Sequence, residues 1–202
     1  MAWRIIIKIA VLASGSGTNL QAILDSQEQG IEPSLVVSDR PGATALDRAR
    51  SAGIPTAVVD WDLFEDREAF CAALAGVLSS SPVEALVLAG FMRILNADFV
   101  GRYTNRILNV HPSLLPAFPG AHAVEQALQH GVRVTGVTVH FVDDRVDHGP
   151  IIAQRAVPVL EDDDVGTLHA RIRVEEHDLY PRVVGAFARG EIEVEGRRVV
   201  WQ

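Results

Sequence analysis

Residues 5 to 29 read IIIKIAVLASGSGTNLQAILDSQEQ, and the pattern of this stretch changes twice. The apolar, mostly β-branched run from Ile5 to Ala13 is typical of a strand that is buried on both faces. Gly15 and Gly17 then predict a tight turn, and the amphipathic spacing after it predicts a helix from Thr18 to Gln29. Strand, glycine turn and helix in this order indicate the opening unit of an α/β sheet.

Short apolar runs recur along the chain and alternate with amphipathic stretches. This alternation predicts an open, mostly parallel sheet with helices on both faces, a Rossmann-like α/β fold. Further strands of this part are predicted at residues 34–38, 56–59, 84–89 and 106–110.

The last third of the chain has a different pattern. VTGVTVHFV and IIAQRAVPV predict two extended strands around a polar turn. A long helix is predicted from Asp164 to Ala188, with the acidic run at 161–164 at its N-terminus. The stretch EIEVEGRRVV predicts a closing hairpin that turns at Gly196.

Length and composition favour one compact domain that acts on small molecules. The chain has 202 residues, 48% of them hydrophobic, and its apolar runs are shorter than the roughly 20 residues of a membrane helix. MAWRIII lacks a signal-peptide pattern, and the single cysteine, Cys71, favours a reducing compartment, so we expect a cytoplasmic protein without a membrane partner. A net charge of −8 disfavours nucleic acid as a partner.

The glycine turn predicts an anion site, because the free amides at a helix N-terminus attract negative charge. A dinucleotide site is an alternative, since Asp39 ends the second strand, but Leu20 stands where the third glycine of that fingerprint belongs. A nucleoside-triphosphate loop needs a lysine after Gly17, which is lacking. A turn without a ligand stays open, and a monophosphate is the favoured guest.

The densest chemistry lies in LNVHPSLLPAFPG, residues 108 to 120. Asn109 and His111 are two positions apart on a predicted strand, so their side chains project to the same side at the strand end where ligands bind in such sheets. Downstream, DDRVDHGP offers three carboxylates that could orient or charge a histidine, those of Asp143, Asp144 and Asp147. The alternative for His111 is a purely structural hydrogen bond.

Other chemistries find less support in the sequence. A zinc site would have to combine His111 with His122 or His140, without the usual ligand spacing. The acidic string DDRVDHG lacks the bidentate glutamate of a calcium loop. Cys71 falls within an amphipathic helical pattern without a nearby base, so we expect it to pack rather than to react.

Five stretches together carry a family resemblance: SGSGTNLQAI, VLAGFMRIL, LNVHPSLLPAFPGAHA, GVTVHFVDDRVDHGPII and EEHDLYP. In this order, over almost the whole chain, they resemble the phosphoribosylglycinamide formyltransferases of the folate-dependent formyltransferase superfamily. The resemblance implies one formyltransferase domain over residues 1–202, with a ribonucleotide phosphate-binding half at about 1–105 and a folate-binding and catalytic half at about 106–202. It also implies transfer of a formyl group from 10-formyltetrahydrofolate to the amine of glycinamide ribonucleotide in de novo purine (IMP) synthesis, without a metal.

The same resemblance implies roles for individual residues. Asn109, protonated His111 and Asp147 would be catalytic, and the Asp147 carboxylate would raise the pKa of His111. The ribonucleotide would be bound by the phosphate turn Gly17, Thr18 and Asn19, by the carboxylate of Glu176, and by Arg173, Val174 and Glu175 beside it. The folate would be bound by Arg67, Met92, Arg93, Ile94, Leu95, Asn109, Asp143, Asp144, Arg145, Val146 and Asp147.

His148 departs from the family pattern, which often has a small residue within the D-x-G-P element. We expect His148→Gly to keep activity within about tenfold.

Formyltransferases of initiator tRNA and formyl-folate hydrolases are the nearest alternatives. The former carry a C-terminal RNA-binding extension and the latter an N-terminal regulatory domain, so chain length favours the ribonucleotide enzyme, as a monomer or homodimer. A nucleotide-binding module without turnover is the alternative from another class.

Overall fold

The computed structural model describes residues 6–202, which form one large sheet with helices on both faces. In chain order the elements are β1 (Ile7–Leu12), α1 (Thr18–Asp25), β2 (Ile31–Ser38), α2 (Thr44–Ser51), β3 (Thr56–Val58), a 3-10 helix (Trp61–Leu63), α3 (Arg67–Ser79), β4 (Ala85–Leu88), α4 (Ala97–Arg102), β5 (Ile107–His111), α5 (Ala123–His130), β6 (Val134–Phe141), β7 (Ile151–Pro158), α6 (Val165–Ala188), β8 (Ile192–Glu195) and β9 (Arg198–Trp201).

The sheet has seven strands in the order β3-β2-β1-β4-β5-β6-β7. The five strands β1 to β5 run parallel, whereas β6 and β7 are antiparallel to their neighbours, and β8 and β9 form a separate hairpin. The predicted α/β architecture with a mostly parallel sheet is therefore confirmed. Because β1 to β5 are parallel, their carboxyl ends meet at one edge of the sheet, where ligand sites of such folds lie.

Two hydrophobic cores lie on opposite faces of the sheet. On one face, α1 and α6 pack on the strands through residues such as Leu20, Ile172 and Tyr180. On the other, α3 and α4 contribute Phe70 and Phe99. Side chains from both faces bury β4 and residues 9–12 of β1, which is the physical reason for the continuous apolar sequence of these two stretches.

Several predicted boundaries need correction. Ile5 lies outside the described residues, and β1 covers Ile7–Leu12. Helix α1 ends at Asp25 rather than at Gln29, because Ser26 is extended (φ −69°, ψ 150°) and its hydroxyl donates to the Ile23 carbonyl at 2.8 Å. The polar residues that follow offer no apolar face that could extend the helix.

Strand β2 begins at Ile31 rather than at residue 34. The pairing of β1 with β2 shifts register between Ile9 and Ala10, which are opposite Pro33 and Leu35. A proline and an irregular register hide the start of this strand, because neither fits a regular strand pattern.

Helix α6 is fixed at its start and near its middle. The Asp164 carboxylate accepts from the Thr167 amide at 2.7 Å and the Thr167 hydroxyl accepts from the Asp164 amide at 2.9 Å, a capping box that confirms the acidic N-terminus. The buried Tyr180 hydroxyl lies 3.0 Å and 2.9 Å from the carbonyls of Leu88 and Leu108. These contacts hold α6 over the ends of β4 and β5. Within residues 6–202, no helix combines the length and apolar character of a membrane span.

Candidate active site

The glycine turn between β1 and α1 is held tightly by its surroundings. Gly17 has φ 69°, and a Cβ there would lie 2.7 Å from Cα of Ala45, so only glycine fits. The Ser14 hydroxyl accepts from the Met92 amide at 2.8 Å, and Arg48 Nε donates to the Ser16 carbonyl at 2.8 Å. The turn is thus fixed from the β4 side and from α2, and Arg48 places a cation beside it that sequence reasoning missed.

Asn19 and Glu176 meet beneath this turn. Asn19 Nδ2 donates to Glu176 Oε2 at 3.1 Å, and both side chains are buried. Burial raises the pKa of Glu176, against smaller opposing effects of Asn19 and Arg173. Asn19 Oδ1 is buried and has no hydrogen-bond partner among the described residues. The structure therefore joins two residues of the predicted ribonucleotide site that are far apart in sequence.

The neighbours of Glu176 on α6 point elsewhere. Val174 is 66% exposed, and Glu175 pairs with Arg155 of β7 at 2.9 Å. Arg173 is exposed but near enough to lower the pKa of Glu176. Of residues 173 to 176, only Glu176 contacts the α1 side of the site directly.

The three predicted catalytic residues come together at the carboxyl end of β5. His111 Nδ1 lies 3.2 Å from Asp147 Oδ2, and Asn109 Nδ2 lies 3.5 Å from Asp147 Oδ1. The Gly120 amide donates to Asp147 Oδ2 at 2.7 Å. Asp147 has φ 50°, an uncommon conformation for a non-glycine residue, which these contacts help to hold.

His140 belongs to this cluster, although the sequence offered it only as a zinc ligand. It lies opposite Asn109 in the antiparallel pairing of β5 with β6, and Asn109 Nδ2 lies 3.1 Å from its Nε2. Its Nδ1 lies 2.8 Å from the Phe141 carbonyl, which can only accept, so we assign the proton to Nδ1 and an acceptor lone pair to Nε2. His140 thereby orients the Asn109 amide. The strand register alone would have revealed it.

The pKa of His111 is shifted opposite to the prediction. Burial lowers it and is the largest influence, while Asp147 and the Phe118 carbonyl act in the raising direction and His140 again lowers it. Asp147 does favour the imidazolium, but the cost of burying a charge outweighs it. Since His111 Nε2 also lies 2.8 Å from the Phe118 carbonyl, both ring nitrogens face acceptors and the neutral ring can donate to only one.

Burial alone would raise the pKa of Asp147, but its polar contacts prevail and lower it. The donors near its carboxylate are His111 Nδ1 at 3.2 Å, the Gly120 amide at 2.7 Å and the Asn109 amide at 3.5 Å. Asp147 is therefore an anion stabilised by several donors, whereas Glu176 is a carboxyl with one.

The predicted folate residues are mostly exposed and partly apolar. Met92, Ile94 and Val146 are large exposed hydrophobic residues, whereas Leu95 is buried. Arg67 begins α3 with an exposed side chain. In the acidic loop, Asp143 Oδ2 pairs with His148 Nδ1 at 2.7 Å, while Asp144 and Arg145 are exposed.

The alternative dinucleotide site is contradicted. Asp39 is fully buried, and its Oδ2 accepts from Arg93 Nε at 2.6 Å, with the Arg93 guanidinium 4.7 Å from the centre of the Trp61 ring. The carboxylate is therefore not free to bind a ribose. Arg93 itself is paired with Asp39.

A groove of about 830 Å³ between α1 and α6 adjoins the glycine turn and is lined by Thr18, Arg48 and His177, among others. A second cavity of about 690 Å³ touches the turn at Ser14, Gly15 and Ser16. Neither includes Asn109, His111 or Asp147, so the turn is accessible to a ligand from the solvent independently of the β5 cluster.

Within residues 6–202, no group of three or more His, Cys, Asp or Glu side chains is arranged to hold a metal ion.

Comparison with known proteins identifies relatives over nearly the whole chain. The profile of the family described as "Formyl transferase" matches residues 7–184. The chain is 43% identical over 191 residues to the phosphoribosylglycinamide formyltransferase of Escherichia coli K12, covering 93% of this chain and 90% of that protein. It is also 43% identical to the human trifunctional purine biosynthetic protein adenosine-3 over 96% of its own length, but it spans only 20% of that longer protein.

Solved structures agree with these sequence relatives. The crystal structure of glycinamide ribonucleotide transformylase 1 from Symbiobacterium toebii superposes with a TM-score of 0.93 at 52% identity, covering 97% of this chain and 94% of that one. Phosphoribosylglycinamide formyltransferase from Anaplasma phagocytophilum gives a TM-score of 0.91 at 38% identity, covering 98% and 95%.

Proposed function

We propose that this chain transfers the formyl group of 10-formyltetrahydrofolate to the amine of glycinamide ribonucleotide. The chain belongs to the formyl transferase family and, within it, to the phosphoribosylglycinamide formyltransferases. The products are formylglycinamide ribonucleotide and tetrahydrofolate, in purine synthesis. One observation carries the proposal: Asp147, His111 and Asn109 converge at the carboxyl end of β5. The proposed setting is the cytoplasm, with small-molecule substrates and no nucleic-acid partner.

The glycine turn is the proposed phosphate site. The first amides of α1, at Thr18 and Asn19, lack partners within their own helix, and the helix dipole favours an anion there. Arg48 beside the turn adds a positive charge. Glu176, which already accepts from Asn19, would then accept hydrogen bonds from donor groups of the ribonucleotide; the contact with Asn19 at the start of α1 supports this role.

The proposed reaction is direct attack of the neutral amine on the formyl carbon, which gives a tetrahedral intermediate with an anionic oxygen. Asn109 Nδ2, aligned by His140, donates to that oxygen. A preorganised donor of this kind is typically worth about 3 to 4 kcal/mol of transition-state stabilisation. The folate donor already carries the activated formyl group, so the residues of this chain need only orient the reactants and move a proton.

His111 is the proposed carrier of that proton. Because burial lowers its pKa, His111 is neutral near pH 7 and can take the proton that the amine loses. Its Nε2 must leave the Phe118 carbonyl as the reactants enter. The imidazolium formed in the step is stabilised by Asp147, and it returns the proton to the departing folate nitrogen.

The acceptor would be tested by spectrophotometry of the purified protein with 10-formyl folate, in the presence and absence of glycinamide ribonucleotide. Release of the deformylated folate that depends on the ribonucleotide is the expected result. Equal release without the ribonucleotide would instead identify a hydrolase, and no release would favour a binding module.

A further inference from the structure

The turn of the C-terminal hairpin touches the acidic loop of residues 143–148. Arg197 Nη2 donates to the His148 carbonyl at 2.7 Å, and its Nη1 lies 3.3 Å and 3.2 Å from the two ring nitrogens of His148. Nη1 is equally close to both ring nitrogens, and at least one of these carries a proton, so this contact is not a hydrogen bond in the ring plane and Nη1 lies against the face of the imidazole. Planar stacking of this kind is available to arginine and not to lysine.

We propose that Arg197 is a positioning residue for the folate donor: with His148 it holds the 143–148 loop, which carries proposed folate-binding residues, in one conformation. The proposal rests on the proposed function, because it concerns the same site. It assigns a role to a hairpin residue outside the five stretches that carry the family resemblance.

Contacts inside the loop connect Arg197 to the catalytic end. The ring that Arg197 covers pairs through Nδ1 with Asp143 Oδ2 at 2.7 Å, and Asp143 Oδ1 accepts from the Arg145 amide at 3.0 Å. Asp143 thus closes the loop on itself, and Arg197 holds the closed loop from outside. Asp147 lies directly before the clamped His148 and holds the loop from inside.

The hairpin is a fixed support for this clamp. Trp201 Nε1 donates to the Ile152 carbonyl at 3.1 Å, which fastens β9 to β7 just beyond the loop. The base of the loop is equally constrained, because a Cβ at Gly149 would lie 1.9 Å from the Phe141 carbonyl oxygen. Arg197 therefore joins two anchored segments, and the freedom left to the loop lies between Phe141 and Gly149.

Losing the clamp should affect folate more than chemistry. In the proposed site the loop lies against the folate and Asp147 keeps its own contacts with Gly120 and His111. We expect Arg197→Ala to raise KM for 10-formyl folate roughly threefold to tenfold, with kcat and the ribonucleotide KM within about twofold of wild type. Arg198→Ala, the neighbour on the same hairpin, is the matched control and should resemble wild type. Arg197→Lys should rescue only in part.

A second measurement does not depend on activity. Hydrogen exchange of the peptide that covers residues 143–148 should be faster in Arg197→Ala than in wild type, and unchanged in Arg198→Ala. Equal exchange in the two variants would overturn the clamp. An unchanged folate KM in Arg197→Ala, measured against an active wild type, would overturn its role in positioning. An inactive wild type would contradict the proposed function instead, while the exchange data would still decide whether the clamp exists.

Discussion

Replacing Glu176 with Gln removes a buried carboxylate without changing the size of the side chain. Glu176 is 5% exposed, accepts one hydrogen bond from Asn19, and has a pKa raised mainly by burial. Asn19 Oδ1 has no partner within residues 6–202, and a glutamine amide could donate to it after a flip of the Asn19 amide. We expect the free energy of unfolding near pH 7.5 to rise by about 1 to 2 kcal/mol, which is a melting temperature about 2 to 8 °C higher.

The pH dependence separates this explanation from a general gain in packing. A raised pKa means that the folded state favours the protonated carboxyl, so charged Glu176 costs stability as pH rises through its ordinary range. Below about pH 4 the carboxyl is protonated in both states, and the advantage of Gln should vanish. Thermal unfolding of wild type and of Glu176→Gln at both pH values measures this difference in stability. Glu175→Gln, which weakens the half-buried pair with Arg155, is the control and should lose up to about 1 kcal/mol.

Either of two outcomes would refute the reasoning. One is a Glu176→Gln variant less stable than wild type near neutral pH, and the other is an equal gain at both pH values. The same variant should bind the ribonucleotide at least about tenfold more weakly, because a carboxylate accepts stronger hydrogen bonds than an amide.

Three further variants test the site. His111→Ala should lower kcat at least about a hundredfold while calorimetry shows ribonucleotide affinity nearly unchanged, and normal turnover would rule out its catalytic role. Asp147→Asn should move the acid limb of the rate profile to lower pH, because Asp147 acts to raise the pKa of His111; a shift to higher pH would contradict the proton-carrier assignment. Gly17→Ala should weaken ribonucleotide binding and cost about 1 to 3 kcal/mol of stability, since its Cβ would lie 2.7 Å from Ala45 Cα at φ 69°. If Gly17→Ala melts at the same temperature as wild type, the turn can accommodate the added Cβ and this prediction is wrong.

The sequence could predict what depends on local pattern. Alternation of apolar runs and amphipathic stretches gave the parallel sheet, and the two-residue spacing of Asn109 and His111 placed both side chains on one side of β5. The acidic N-terminus of α6 was visible in the sequence because the groups that stabilise a helix end lie within a few residues of it. Each of these features is decided by short-range geometry.

The rest depends on how distant segments meet. His140 reaches Asn109 only through the register of β5 with β6, and Arg48 reaches the glycine turn from α2. The net pKa shift of His111 depends on how deeply it is buried, which a sequence does not specify residue by residue. A single carboxylate neighbour suggested the opposite direction, because attraction between charges is visible in a motif and desolvation is not.

The carboxyls of Asp147 and Glu176 differ in how well the free protein stabilises their charge. Asp147 has donors within the protein, so its charge is supported before any ligand arrives. In the described part of the chain, Glu176 accepts one side-chain hydrogen bond and the Asn19 amide oxygen has no partner, so the charge of Glu176 is poorly supported in the free protein. Donors carried by the ribonucleotide would supply what is missing, and binding would then recover free energy that folding left unused. Saturating ribonucleotide should therefore raise the melting temperature of wild type more than that of Glu176→Gln, even though the variant starts from the more stable free state.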